Sequence, residues 1–107
     1  MMQSAPCLES AYETCLVYEL RERGLHVRTQ VALPVLYKTI QMDLAYRIDL
    51  LIEECLVVEL KTVSTVLPIH EAQLLTYLRL SGHRLGLLLN FHVRLIREGI
   101  KRMVNNL

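Results

Sequence analysis

Asp49, Glu59 and Lys61 are the residues of this chain whose types and spacing could do chemistry together. Glu59 and Lys61 lie in VVELKT (residues 57–62), and Asp49 lies in LAYRIDLLI (residues 44–52). Both runs have the length and composition of strands. Side chains alternate along a strand, so Leu56, Val58 and Leu60 share one face while Cys55, Val57, Glu59 and Lys61 share the other. On the preceding strand Ile48, Leu50 and Ile52 share a face, and Asp49 and Leu51 point away from it. Register follows the apolar pattern. Setting 52 opposite 56, 50 opposite 58 and 48 opposite 60 makes one continuous aliphatic face and places Asp49 opposite Glu59. This register requires a three-residue connection, 53–55, or a bulge. Facing carboxylates repel one another unless a cation relieves them. Lys61 is one such cation. Mg²⁺ is another, since it takes one or two carboxylates together with water and substrate phosphate. Asp49, Glu59 and the backbone carbonyl of Leu60 would supply three oxygen ligands, and Lys61 would orient a water or neutralise charge growing on a phosphate. The competing reading is a solvated face with an ordinary ion pair. Leu51, Cys55 and Val57 on the same face weigh against full exposure.

The surrounding elements must position these groups. CLESAYETCLVYELRER (residues 7–23) carries Leu8, Ala11, Tyr12, Cys15, Leu16 and Leu20 at helical spacing, and Gly24 is placed to end that helix. HVRTQVAL (26–33), ahead of Pro34, reads as a strand, and VLYKTI (35–40) as a second short one. Pro68 suits the first turn of a helix over 69–81, with Ile69, Ala72, Leu75, Tyr77 and Leu78 facing inward and Ser81-Gly82 ending it. LGLLLNF (85–91) reads as a strand covered on both faces. RLIREGIKRMV (94–104) reads as a closing amphipathic helix. The order predicts an α/β (α+β) domain spanning 1–107, a central mixed β-sheet flanked by helices on both faces.

Composition narrows the function classes. The 107 residues suit one domain with a real core, and 52% hydrophobic residues argue against disorder. A net charge of +1 gives no strongly basic field of the kind that marks many nucleic-acid binders. Cys7, Cys15 and Cys55 match no zinc spacing and fall in apolar segments, which predicts buried, reduced thiols. Met1–Pro6 lacks the features of a signal peptide, and no apolar run approaches the ~20 residues of a membrane helix. The expectation is a soluble cytoplasmic protein with no membrane partner.

Asp49 followed nine residues later by Glu59-Leu60-Lys61 resembles the signature of the PD-(D/E)XK nuclease superfamily. LESAYE (8–13), YRIDLLIE (46–53), VVELK (57–61), PIHEAQLLTYLRLSG (68–82) and GLLLNF (86–91) extend the likeness over nearly the whole chain. They resemble the small bacterial GxxExxY proteins, a family placed in that superfamily. The resemblance implies a restriction-endonuclease-like core and Mg²⁺- or Mn²⁺-dependent hydrolysis of DNA or RNA. It implies Asp49 and Glu59 as metal ligands, Lys61 as the catalytic lysine and Glu9 as an early-helix carboxylate at the metal. Gln73 and Tyr77 match a Q-x-x-x-Y pattern; they share one helix face and are either substrate contacts or packing groups. The chain departs from the family in two ways. Pro6 stands where the family has Gly, so the chain enters the first helix differently. Only six residues precede Cys7, so the extra N-terminal helix of family members is expected to be shortened or lost, which would favour a homodimer over the uncovered surface. A non-catalytic binding or assembly module on the same fold is the alternative.

The remaining candidates are less specific. Arg94, Arg97, Lys101 and Arg102 form either a solvated cationic face or a set of phosphate contacts. His70 reads as a surface or capping residue, and Tyr18, Tyr37 and Tyr46 as core or rim.

Overall fold

The connection that determines the register of the central hairpin has three residues. In the structure, a computed structural model that describes residues 5–38 and 40–105, β2 (Ile40–Ile52) is joined to β3 (Leu56–Lys61) by Glu53, Glu54 and Cys55. Ile52 pairs with Leu56, Leu51 with Val57 and Leu50 with Val58, the register predicted from the apolar pattern. Glu53 and Glu54 take left-handed φ values of +53° and +55°. Polar bonds to the adjacent strand hold this turn: Glu53 accepts from the His26 N–H at 2.6 Å, and Glu54 takes a two-pronged bond from Arg28 at 2.7 and 2.9 Å.

Helix α1 (Ala5–Glu22) ends at Gly24, whose φ of +81° lets the Leu25 N–H reach back to the Leu20 carbonyl at 3.1 Å. β1 (Val27–Tyr37) runs antiparallel to β2. It is one strand rather than the two expected, because Pro34 is accommodated at a register shift between Leu33 and Val35. After β3, helix α2 (Pro68–Ser81) crosses over to β4 (Leu85–Asn90), which pairs parallel with β3. The sheet order is β1-β2-β3-β4-β5.

The two helices cover opposite faces of the mixed sheet, as expected. Val17 of α1 packs with Val27, Leu50, Ile52, Val58, Leu60 and Leu89. Leu74, Tyr77 and Leu78 of α2 pack with Leu33, Ile48, Leu51, Val57 and Leu88. Ile48 therefore does not share a face with Leu50 and Ile52. Val27 and Leu33 of β1 likewise lie on opposite sides. The faces of both strands interchange at the position where Gln30, with φ of +51°, lies opposite Asp49.

Several expectations need correction. Residues 94–104 are not a helix: a single 3₁₀ turn (Ile96–Gly99) leads into β5 (Ile100–Val104), antiparallel to β4. Gly99 lies against the Asn90 carbonyl so closely that any Cβ would collide with it, and the pairing with β4 outweighs the helical spacing of the charges. Cys15 and Cys55 are exposed, not buried, since Val17 rather than Cys15 is the buried residue of α1. Tyr18 is 62% exposed. On α2 Leu74, which lies outside the expected inward set, is as fully buried as Leu78, while Ile69 is 67% exposed and Ala72 is exposed. The Cys7 and Tyr37 side chains lie outside the described residues.

Candidate active site

The β2–β3 ladder stops at Leu50 and Val58, and the next residues of each strand are Asp49 and Glu59. Their carboxylates take the place of a backbone rung. The Leu60 N–H donates to Asp49 Oδ2 at 2.9 Å, and the Asp49 N–H donates to Glu59 Oε1 at 3.1 Å. The two strands thus fork around a reciprocal pair of side-chain-to-backbone bonds. The Lys61 carbonyl accepts from the N–H of Phe91, the residue that follows β4, at 2.9 Å. Since successive carbonyls along a strand alternate in direction, the Leu60 carbonyl faces the β2 side and opens into the fork.

Glu59 is 4% exposed. Burial, and then the charge of Asp49, push its carboxyl up from the ordinary 4.5 to about 8, while the Asp49 N–H and the Lys61 ammonium act in the opposite direction. Asp49 and Lys61 are half-buried. The other Asp49 oxygen, Oδ1, accepts from Gln30 Nε2 at 3.3 Å, and the same nitrogen donates to Glu13 at 2.9 Å.

The other predicted residues are distributed around this pair. Glu9 reaches the end of β3, where its Oε2 accepts from the Thr62 N–H at 3.2 Å and from its hydroxyl at 3.4 Å. It is thereby occupied with Thr62 rather than joined to the two carboxylates. Among the described residues no three His, Cys, Asp or Glu side chains gather closely enough to hold a metal by themselves. Tyr77 is buried beneath the site, with its hydroxyl pushed up to about 12 by burial and by the charges of Glu59 and Asp49. Gln73 acts on its hydroxyl in the opposite direction, and its ring stacks edge-on against Tyr46 at 5.9 Å. Tyr46, Ile69, His70, Gln73, Thr76 and Tyr77 line a cavity of about 260 Å³. His70 caps its own helix, its Nδ1 accepting from the Leu67 N–H at 3.0 Å. Arg94, Arg97, Lys101 and Arg102 do not form one helical face. Arg94 is paired with Glu98 at 3.3 Å, Arg97 lies in the 3₁₀ turn, and Lys101 and Arg102 are neighbours on β5 whose side chains alternate.

Two residues escaped the sequence reading. Gln30 is an ordinary polar residue in a strand-like run, and only its backbone angle and partners distinguish it. Asn90 carried a signal: it is the polar residue at the end of the apolar run LGLLLN. It is buried, accepts from the N–H groups of Val63 and His92 at 3.1 Å each and donates to the Val63 carbonyl at 2.8 Å. These bonds fix the chain just after Lys61. Nearby, Tyr12 of α1 stacks on Phe91 with centroids 4.4 Å apart, which sets the start of α1 over this end of the sheet.

The fold has counterparts among solved structures. SSO0001 matches with a TM-score of 0.69 and 23% identity, over 94% of this chain and 52% of the other. The alkaline exonuclease LHK-Exo of Laribacter hongkongensis matches with a TM-score of 0.65 and 15% identity, over 99% of this chain and 61% of its own. At such identities the likeness is one of fold, and the chain spans about half and about three fifths of those proteins. No curated protein matches it. The family model of the PD-(D/E)XK nuclease superfamily matches residues 4–103. That span contains the forked strands, the Asp, the Glu-x-Lys and both helices that cover them, and the chain belongs to this superfamily.

Proposed function

We propose that the fork between β2 and β3 is a divalent-metal-dependent phosphodiesterase site acting on DNA or RNA. The observation that carries this reading is the Asp49–Glu59 pair, two carboxylates brought together where the ladder opens, with Glu59 held up to about 8. The donor set suits Mg²⁺ or Mn²⁺: it is all oxygen, with two carboxylates and the Leu60 carbonyl directed into the same gap. A positive charge there favours the ionised form of Glu59, which the charge of Asp49 disfavours. When bound, the cation supplies Lewis-acid polarisation of a phosphoryl oxygen.

The chain's own groups complete the reading. Lys61, two residues beyond Glu59 on the same strand face, positions the attacking water and offsets charge that builds on the phosphate. Glu9, bonded to Thr62 here, would be the ligand that α1 offers. Tyr46 and Tyr77, with Gln73, offer the adjacent cavity to a base, and the exposed Arg94, Arg97 and Lys101 contribute phosphate contacts. The exposed thiols of Cys15 and Cys55 suit a reducing, cytoplasmic setting.

The test is cleavage of single- and double-stranded DNA and RNA with Mn²⁺, by the wild type and Asp49→Ala. Cleavage that the substitution abolishes supports the reading, and failure on all four substrates sinks it. One observation favours a second reading, a non-catalytic binding module. Each carboxylate already accepts a backbone N–H, so the pair satisfies part of the fork's hydrogen bonding without a cation.

A further inference from the structure

Gln30 combines a left-handed backbone conformation with a bond to the site. It lies within β1 at φ of +51°, a region that favours Gly or Asn. Its side chain is exposed, and its conformation accompanies the interchange of faces in β1 and β2. The same conformation also places its amide. Nε2 donates both to Glu13 Oε1 at 2.9 Å and to Asp49 Oδ1 at 3.3 Å. The other oxygen of Asp49 is taken by the Leu60 N–H at 2.9 Å. The Asp49 carboxylate is thus held at both oxygens, from α1 and β1 on one side and from β3 on the other. Each oxygen keeps a lone pair for a further partner. Backbone strain of this kind tends to sit where it serves a site.

We propose that Gln30 is a positioning residue: bridging Glu13 to Asp49, it fixes the rotation of the Asp49 carboxylate and thereby the affinity of the Asp49–Glu59 pair for a divalent cation. This rests on the metal-site reading above. Hydrogen-bond partners that orient metal ligands typically change metal affinity by roughly 10–100-fold when removed, and that is the loss assigned to Gln30.

The experiment is calorimetric titration with Mn²⁺ alone into the wild type, Asp49→Ala, Gln30→Gly and Gln30→Asn, with the melting temperature of each. Gly is at ease at positive φ and Asn tolerates it, while neither carries an amide long enough to span both carboxylates. The expected result is a melting temperature equal to or above the wild type, with Mn²⁺ binding weaker by about 10–100-fold. Wild-type affinity retained in Gln30→Gly overturns the role of Gln30 while leaving the metal site standing. A fall in melting temperature that accompanies the lost affinity also overturns it, in favour of a structural role. Absence of Mn²⁺ binding to the wild type removes the metal site and the Gln30 assignment together.

Discussion

Asp49 and Lys61 are separable in their effects because only one of them is a ligand in the proposed site. Lys61→Ala leaves both carboxylates in place; Mn²⁺ binding should persist while cleavage falls by roughly 10²–10³-fold, the usual effect of losing one electrostatic contact to a transition state. Asp49→Ala should lose both, since it removes a ligand and the acceptor for the Leu60 N–H. Calorimetry and cleavage assays on the same two preparations separate these outcomes. Glu59 makes a prediction about pH. Its carboxyl is raised in the fold to about 8 from an ordinary 4.5, so the fold prefers the protonated form. Its contribution is fully present below the unfolded value and declines as pH rises towards the folded one. The metal-free protein should therefore melt at a lower temperature near pH 8 than near pH 5, and Glu59→Gln, which keeps an acceptor for the Asp49 N–H, should flatten that slope. A slope unchanged in Glu59→Gln would assign it to other groups.

α2 shows how far spacing can mislead at the scale of one element. Its helical extent and its glycine stop at Gly82, φ +78°, agree with the sequence reading. Its inward face is rotated towards Leu74, which is fully buried, and away from Ile69. Leu74→Ala should cost about 2–5 kcal/mol, through lost transfer energy and the cavity left behind. Ile69→Ala should change stability by no more than about 0.5 kcal/mol. Denaturant unfolding of the two variants measures this directly, and comparable losses would mean that α2 sits on the sheet in the orientation first expected. β5 is the complementary case. Its charges recur at helical spacing, yet Gly99 packed on Asn90 and the antiparallel register with β4 make it a strand.

At the scale of the whole molecule, the sheet ends among the described residues on β1 and β5, and β5 leaves Ile100 and Val104 each 47% exposed. An exposed edge strand is a template for pairing with another chain, although the Lys101 and Arg102 between these two residues oppose it. We predict that two copies of the chain pair through this edge. Light scattering should show a mass that rises with concentration, and Ile100→Lys should hold the protein at the mass of one chain. A wild-type mass that never departs from one chain over the full concentration range rules the pairing out.

The sequence by itself determined the strand pairing around the site. Alternation excludes the registers that separate Leu50 and Ile52 from Leu56 and Val58, and the short connection selects the one that brings Asp49 to Glu59. It also determined both helix stops, because Gly24 and Gly82 supply the positive φ that other residues avoid. Tertiary structure alone decided the rest. Ile48 changed faces because Gln30 turns left-handed opposite Asp49. Glu9 settled on Thr62 because α1 docks at the end of β3, with Tyr12 stacked on Phe91. Periodicity reports which residues an element can bury. Where the element lies, and which distant backbone groups its polar side chains meet, follows from packing among segments far apart in the chain, as in the bond between Gln30 and Asp49.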